Sequence, residues 1–110
     1  EKGIVLKLLE QKHHKDEVYL VLELKNKSGI DFEIDYLNIN RTNGNKKRKA
    51  SYQRLNMEVN YKHELPQVVM NNHVKRFVYV LPKFVLGDNE KLEIVLQELK
   101  GSRLILLESK

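Results

Sequence analysis

Cysteine is missing from the chain, which excludes a disulfide scaffold, a thiolate nucleophile and any metal site with thiolate ligands. No uninterrupted apolar run approaches the ~20 residues that a membrane span requires. The five glycines are scattered, so the sequence has no glycine-rich loop for phosphate. What remains is limited by length, because 110 residues predict a single domain, spanning residues 1–110, with one hydrophobic core.

Positive charge is concentrated in one segment, 41–54, which we call the basic loop. The chain has 20 basic and 15 acidic residues; six basic residues and no acidic one lie in the basic loop, leaving 14 basic residues elsewhere. The six, our candidate partner-binding residues, are Arg41, Lys46, Lys47, Arg48, Lys49 and Arg54. A local excess of this kind favours an acidic partner over a generally adhesive surface.

Apolar residues recur mostly at every second position, which is the pattern of β-strands. Segments near Ile4 and Leu92 also fit helical spacing, but Gly3 is a poor helix start and the segment 13–16 is interpreted as a turn. The predicted strands span about 4–12, 17–25, 32–41, 52–60, 74–81, 90–97 and 103–108. Seven short strands separated by turns predict an all-β protein, a seven-stranded immunoglobulin-like β-sandwich.

Two positions predict where this regular pattern is interrupted. The alternation slips by one residue at Tyr36, which predicts a β-bulge there or a strand that passes from one sheet to another. Pro82 predicts the end of a strand because proline has no N–H for the ladder, and Phe84 and Leu86 are then expected to cover one end of the core. The alternating positions predict a core built around Leu20, Leu22, Phe32, Ile34, Phe77, Tyr79, Leu81, Leu92, Ile94 and Leu104.

No set of residues typical of an active site is recognisable. His13 and His14 are adjacent, so on a strand they would face opposite sides and could not easily share a metal ion. The alternating carboxylates of Asp31, Glu33 and Asp35 are explained by a solvated strand face that discourages edge pairing. We therefore predict no catalytic residue, no metal and no cofactor, and a protein that is not an enzyme.

The basic loop has three interpretations that its residues alone leave open. It is a solvated hairpin tip, a docking element for an acidic protein surface, or a weak nucleic-acid contact, since six cations neutralise at most about six phosphates. Only Tyr52 lies nearby as a stacking partner for single strands. In each case we expect a hairpin that joins the strands near 32–41 and 52–60.

Four stretches of the sequence are similar to a known family: 20–28, 30–37, 46–53 and 80–84. The basic run that ends in Ala-x-x-Gln and the Leu-Pro-Lys-Phe segment are the more specific of them. With these stretches the chain resembles the C-terminal domain of TraN proteins from the conjugative transposons of Bacteroides and its relatives.

The resemblance implies a function that the residues alone do not. It implies a non-enzymatic domain of a longer exported protein, located in the periplasm in association with the outer-membrane part of a type IV secretion-like channel. Its partners would be other conjugative-transfer (Tra) subunits of that channel. The alternative is a nucleic-acid-binding β-domain that uses the basic loop.

Overall fold

The computed structural model describes residues 3–44 and 53–109. In this part of the chain there are nine β-strands and no helix, so no helix there could cross a membrane. In chain order the strands are β1 (Ile4–His14), β2 (Glu17–Asn26), β3 (Phe32–Asn43), β4 (Gln53–Asn56), β5 (Tyr61–His63), β6 (Val68–Val69), β7 (His73–Pro82), β8 (Glu90–Glu98) and β9 (Leu104–Ser109). The prediction of an all-β protein is confirmed.

The strands form two antiparallel sheets in a sandwich-like arrangement. The first sheet has the order β1-β2-β7-β5, and its central pair places Leu22 of β2 opposite Phe77 of β7. The second has the order β4-β3-β8-β9, and its central pair places Ile39 of β3 opposite Ile94 of β8. Strand β6 pairs with the first residues of β3. Apolar residues at alternate positions of the central strands thus face the space between the sheets.

The core lies between the two sheets and contains most of the predicted residues. Ile34 is partly buried against it. Tyr79 carries a polar group into the core, where its hydroxyl donates to the carbonyl of Leu37 at 3.2 Å and so joins β7 to β3. Burial raises the pKa of Tyr79 to about 12. The fully enclosed predicted residues are Leu20, Leu22, Phe32, Phe77, Tyr79, Leu81, Leu92 and Ile94.

The assignment of Leu104 to the core is wrong. Leu104 is 41% exposed, whereas the next residue, Ile105, is 7% exposed and belongs to the core. Residues 104–107 are all apolar, so alternation cannot decide which face of β9 is buried. Pairing with β8 decides it, because Ile105 lies opposite the buried Leu96.

The strand count also differs from the seven predicted. The predicted strand 52–60 is not a single strand. Its first part is β4 in the second sheet, and the chain then passes to the first sheet, where β5 begins at Tyr61. At the crossing, the N–H of Met57 donates to Ile39 of β3 and that of Asn60 donates to Val80 of β7. Strand β6 was not predicted. His13 and His14 belong to β1 rather than to a turn, which is confined to the two residues that follow.

The two predicted interruptions are present. The pairing of β3 with β8 shifts between Ile34 and Tyr36, so the β-bulge near Tyr36 is confirmed. Strand β7 ends at Pro82, and beyond it Phe84 is buried and Leu86 packs against the core. After one further backbone hydrogen bond, from the N–H of Lys83 to the carbonyl of Asp16, the chain leaves the ladder, and Phe84 and Leu86 cover the core.

Candidate functional site: the base of the basic loop

Strands β3 and β4 form the predicted hairpin that carries the basic loop. They pair from Asn40 opposite Asn56 to Asn43 opposite Gln53. Lys46, Lys47, Arg48 and Lys49 lie outside the described residues. The structure therefore places Arg41 and Arg54, the first and last of the six candidate residues, at the base of the hairpin.

Arg54 binds a buried carboxylate on β8. Its Nε lies 2.8 Å from Oε1 of Glu93, and its Nη2 donates to Oε2 at 3.1 Å. Asn40 also donates from Nδ2 to Oε1 at 3.0 Å. Register brings the three together, because Asn40 of β3 lies directly opposite Glu93, and Arg54 of β4 lies opposite Thr42, two residues further along β3 on the same face. The Glu93 side chain is 0% exposed, so these charge-assisted hydrogen bonds compensate for its loss of water.

Arg41 binds a different part of the chain. Its Nη2 donates to the carbonyl of Val85 at 2.6 Å, and its Nε lies 3.5 Å from Oε1 of Glu90. The same Glu90 oxygen accepts the N–H of Gly87 at 2.7 Å. Arg41 thus fixes the segment between β7 and β8 against β3.

The charge at the base of the loop is consequently lower than the sequence suggests. Both arginines form ion pairs with glutamates of β8 that lie far from them in sequence. The four cations of residues 46–49 stand between these two paired arginines along the chain. These four residues, with no acidic residue among them in the sequence, carry the net positive charge of the candidate site.

Sequence reasoning missed Glu90 and Glu93. Their one sequence signal was the alternation of β8, in which Glu93 sits between inward-facing Leu92 and Ile94 and must therefore face outward. That alternation predicts an exposed glutamate, and only the register with Asn40 and Arg54 explains why it is enclosed.

A third arginine–glutamate pair, also unpredicted, lies where β8 turns into β9. Arg103 donates from Nε and Nη2 to the two carboxylate oxygens of Glu98, at 3.0 and 2.7 Å. It also donates to Oγ of Ser28 and to the carbonyl of Asp31, and its guanidinium lies 4.8 Å from the centre of the Phe32 ring. We call these five residues the Arg103 cluster. Hydrogen bonding from Arg103 holds the pKa of the Glu98 carboxyl below its ordinary value.

Among the described residues, no group of three or more His, Asp and Glu side chains is arranged to hold a metal ion. The chain belongs to the family described as a domain of unknown function, DUF4138, whose model matches residues 1–110. No curated protein and no solved structure matches the chain.

Proposed function

We propose that the domain is a non-enzymatic interaction module of a conjugative DNA-transfer apparatus and that the basic loop docks on an acidic surface of another Tra subunit. The observation that supports docking is the hairpin base. Arg54 is hydrogen-bonded to Glu93, and Arg41 lies within ion-pair distance of Glu90, so both ends of the loop contact β8. A loop whose ends are fixed presents its remaining cations from a defined place on the sandwich.

The apparatus and its location in the cell envelope come from the resemblance to TraN proteins. The four similar stretches lie between residue 20 and residue 84, and one of them, 46–53, covers the central part of the basic loop. The proposed location is the periplasm, in association with the outer-membrane part of the channel.

We propose further that the sandwich is of the immunoglobulin type. Strands β1, β2, β7 and β5 have the order expected of strands A, B, E and D, and β3, β8 and β9 that of C, F and G. Seven strands then correspond to the common framework. Strand β4 takes the place beside C, and β6 is an addition to the start of β3.

The docking proposal is tested in the full-length protein by replacing Lys46, Lys47, Arg48 and Lys49 with alanine. We expect lower transfer frequency and lower recovery of Tra subunits in a pull-down. The matched control removes four positive charges from exposed positions outside the loop, at Lys7, Lys27, Lys75 and Lys83. Normal transfer and recovery by the loop variant would refute docking, and an equal loss in both variants would refute the role of this particular loop.

The alternative function, direct binding of nucleic acid through the basic loop, is separated by a salt titration. Because Arg41 and Arg54 are paired with carboxylates, about four cations remain for phosphate, and the logarithm of the binding constant should fall with a slope no steeper than about −3.6. Fluorescence anisotropy of a short DNA duplex measures that slope. Tight binding at about 150 mM salt, lost in the loop variant, would favour nucleic acid over a protein partner.

A further inference from the structure

A groove crosses the outer face of the first sheet, at the end of the sheet where β5 pairs with β7, and we call it the tyrosine groove. Its volume is about 400 Å³, which falls within the range of small-molecule binding sites. Because Phe77 and Tyr79 face the core, alternation places Val78 and Val80 on the outer face, where they form the floor. Side chains of the neighbouring strands β2 and β5 form the two sides. The lining residues are Glu17, Tyr19, Tyr61, His63, Val78 and Val80.

Register places aromatic side chains on both sides of the groove. Tyr19 of β2 and Tyr61 of β5 both lie opposite Val80. Neighbouring strands are ~4.8 Å apart, so the strands that carry the two tyrosines are ~9.6 Å apart, and a flat group in contact with both sides needs ~7–8 Å. Tyr61 is 60% exposed, and its ring centroid lies 6.2 Å from that of His63. The groove therefore offers aromatic and aliphatic carbon to one flat group.

A carboxylate held by two hydrogen bonds stands at one end of the groove. Oε2 of Glu17 accepts a hydrogen bond from Nδ2 of Asn60 at 3.1 Å, and the hydroxyl of Tyr19 donates to Oε1 at 3.5 Å. An ionised carboxylate has about four acceptor sites, so Glu17 keeps capacity for the hydroxyl groups of a ligand. Glu17 also lines a second recess of about 470 Å³, which we call the polar recess. Its other lining residues are His14, Lys15, Asp16, Asn60 and Pro82.

The charges at the two recesses favour an uncharged ligand. The carboxylates of Asp16 and Glu17 oppose the approach of an anion, and Lys15 together with the net charge of +5 opposes a polycation. The ligand must also have apolar faces for the tyrosine groove and a polar rim for Glu17 and Asn60. A pyranose ring with equatorial hydroxyls has this form, because its axial C–H bonds lie on the two faces and its hydroxyls lie on the rim.

We propose that the tyrosine groove and the polar recess bind an uncharged oligosaccharide of β-linked pyranose rings with equatorial hydroxyls. One ring lies between Tyr19 and Tyr61 over Val80, and burial of its C–H faces against these side chains drives binding. The next ring lies in the polar recess, where its hydroxyls donate to Glu17. An axial hydroxyl would be buried against a groove side without a partner and would weaken binding. The groove belongs to the first sheet and the β3–β4 hairpin to the second, so this proposal does not depend on docking through the basic loop.

Two-dimensional NMR of the isotope-labelled 110-residue chain tests the proposal, with cellotetraose and chitotetraose as probes. Titration to about 10 mM covers a site with a dissociation constant near ~1 mM, and the amide signals of Tyr19, Tyr61 and Val80 should shift and saturate. Tyr61→Ala should weaken binding at least about fivefold, because it removes one side of the groove. The control is Tyr36→Ala, which changes an exposed tyrosine on the second sheet and should bind like the wild type.

The class of ligand has its own readouts. Mannotetraose with β-linkages, which has an axial hydroxyl on each ring, should bind at least about threefold more weakly than cellotetraose. The affinity for cellotetraose should change less than about twofold between about 50 and 500 mM NaCl, because salt screens only charges.

Three results would overturn the proposal. They are no shift with either probe sugar at the highest concentration, binding that Tyr61→Ala leaves unweakened, and shifts at the groove with hexaproline but not with sugars. The last result would assign the groove to proline-rich peptides, the other common occupant of aromatic grooves. Thermal melts of each variant show whether a loss of binding reflects loss of fold.

Discussion

Arg103 and Arg54 each bind a glutamate of β8, and the surroundings of the two pairs differ. Arg103 is 16% exposed and binds Glu98, Ser28 and Asp31 while lying over the Phe32 ring. Arg54 is 50% exposed and its described contacts are with Glu93, whose side chain is fully buried. In the first pair both partners are largely enclosed, and in the second the acid is enclosed and the base faces solvent.

The difference shows that the number of basic neighbours in sequence does not indicate whether an arginine has a structural role. Arg103 has no basic neighbour in sequence, yet it joins the β8–β9 turn to the segment that leads into β3. Arg54 ends a conspicuous basic run, yet its guanidinium compensates a buried carboxylate. Charge density along the chain therefore did not reveal that each of these arginines has a structural role.

Replacing Arg103 should have the larger effect on stability. Arg103→Ala removes the bidentate pair, two further hydrogen bonds and the contact with Phe32, and should lower the free energy of unfolding by about 2–4 kcal/mol. Urea denaturation measures it. The control is Lys12→Ala, because Lys12 and its partner Glu10 are 70% and 50% exposed and their pair should contribute at most about 1 kcal/mol. Equal losses in both variants would contradict the distinction.

Replacing Arg54 should lower the free energy of unfolding by a smaller amount, and it tests how much the uncompensated charge of Glu93 destabilises the fold. Arg54→Ala leaves the Glu93 carboxylate with Asn40 as its remaining described partner, and should lower stability by about 1–3 kcal/mol. Adding Glu93→Gln to this variant removes the uncompensated charge and should recover part of the loss. A double-mutant cycle in urea tests this, and strictly additive losses would show that the two side chains are energetically independent.

The Glu98–Arg103 pair predicts a specific dependence on pH. The pKa of Glu98 is lowered in the folded protein, so its contribution is complete above the ordinary glutamate pKa of about 4.3 and is lost as pH falls through the lowered value. The stability difference between wild type and Glu98→Gln should be constant near neutral pH and shrink in acid. Melts at pH 7, 5 and about 3 measure it, and a difference that grew on acidification would have the wrong sign.

Removing the four cations at 46–49 should have the smallest effect on stability. Like charges adjacent in sequence repel, and their long side chains lose about 1.5–2 kcal/mol each if they are fixed. The fourfold alanine variant should therefore change the free energy of unfolding by less than about 0.5 kcal/mol. A loss as large as that of Arg54→Ala would show that these cations also belong to the structural framework.

The fold was largely predictable because its central strands alternate strongly. Leu20, Leu22, Phe77 and Tyr79 fall on one face of their strands, and a slip of one residue in either strand would turn its side chains to the other face. Prediction failed where all positions are apolar, as at Ile105, or where one run serves two sheets. In both cases the deciding information is the pairing partner, which is remote in sequence.

The position of the candidate site in the chain was predictable, but the ion pairs formed by its arginines were not. Turn residues between two alternating runs were sufficient to predict the β3–β4 hairpin. The pairing of Arg54 with Glu93 was not predictable, because it depends on how β3 aligns with both β4 and β8. The sequence gives the net charge of a basic segment. Which of its charges are paired with carboxylates depends on the register of the strands.

The order of strands in the two sheets has a consequence for the time course of folding. The β1–β2 hairpin is local, but β2 gains its second neighbour only when β7 pairs with it, and β3 likewise waits for β8. Closing such distant pairs is slow, so we expect folding in milliseconds to seconds. A chain that is synthesised or exported from its amino end leaves the inner edge of β2 unpaired until β7 has emerged. An unpaired strand edge of this kind is a site for aggregation.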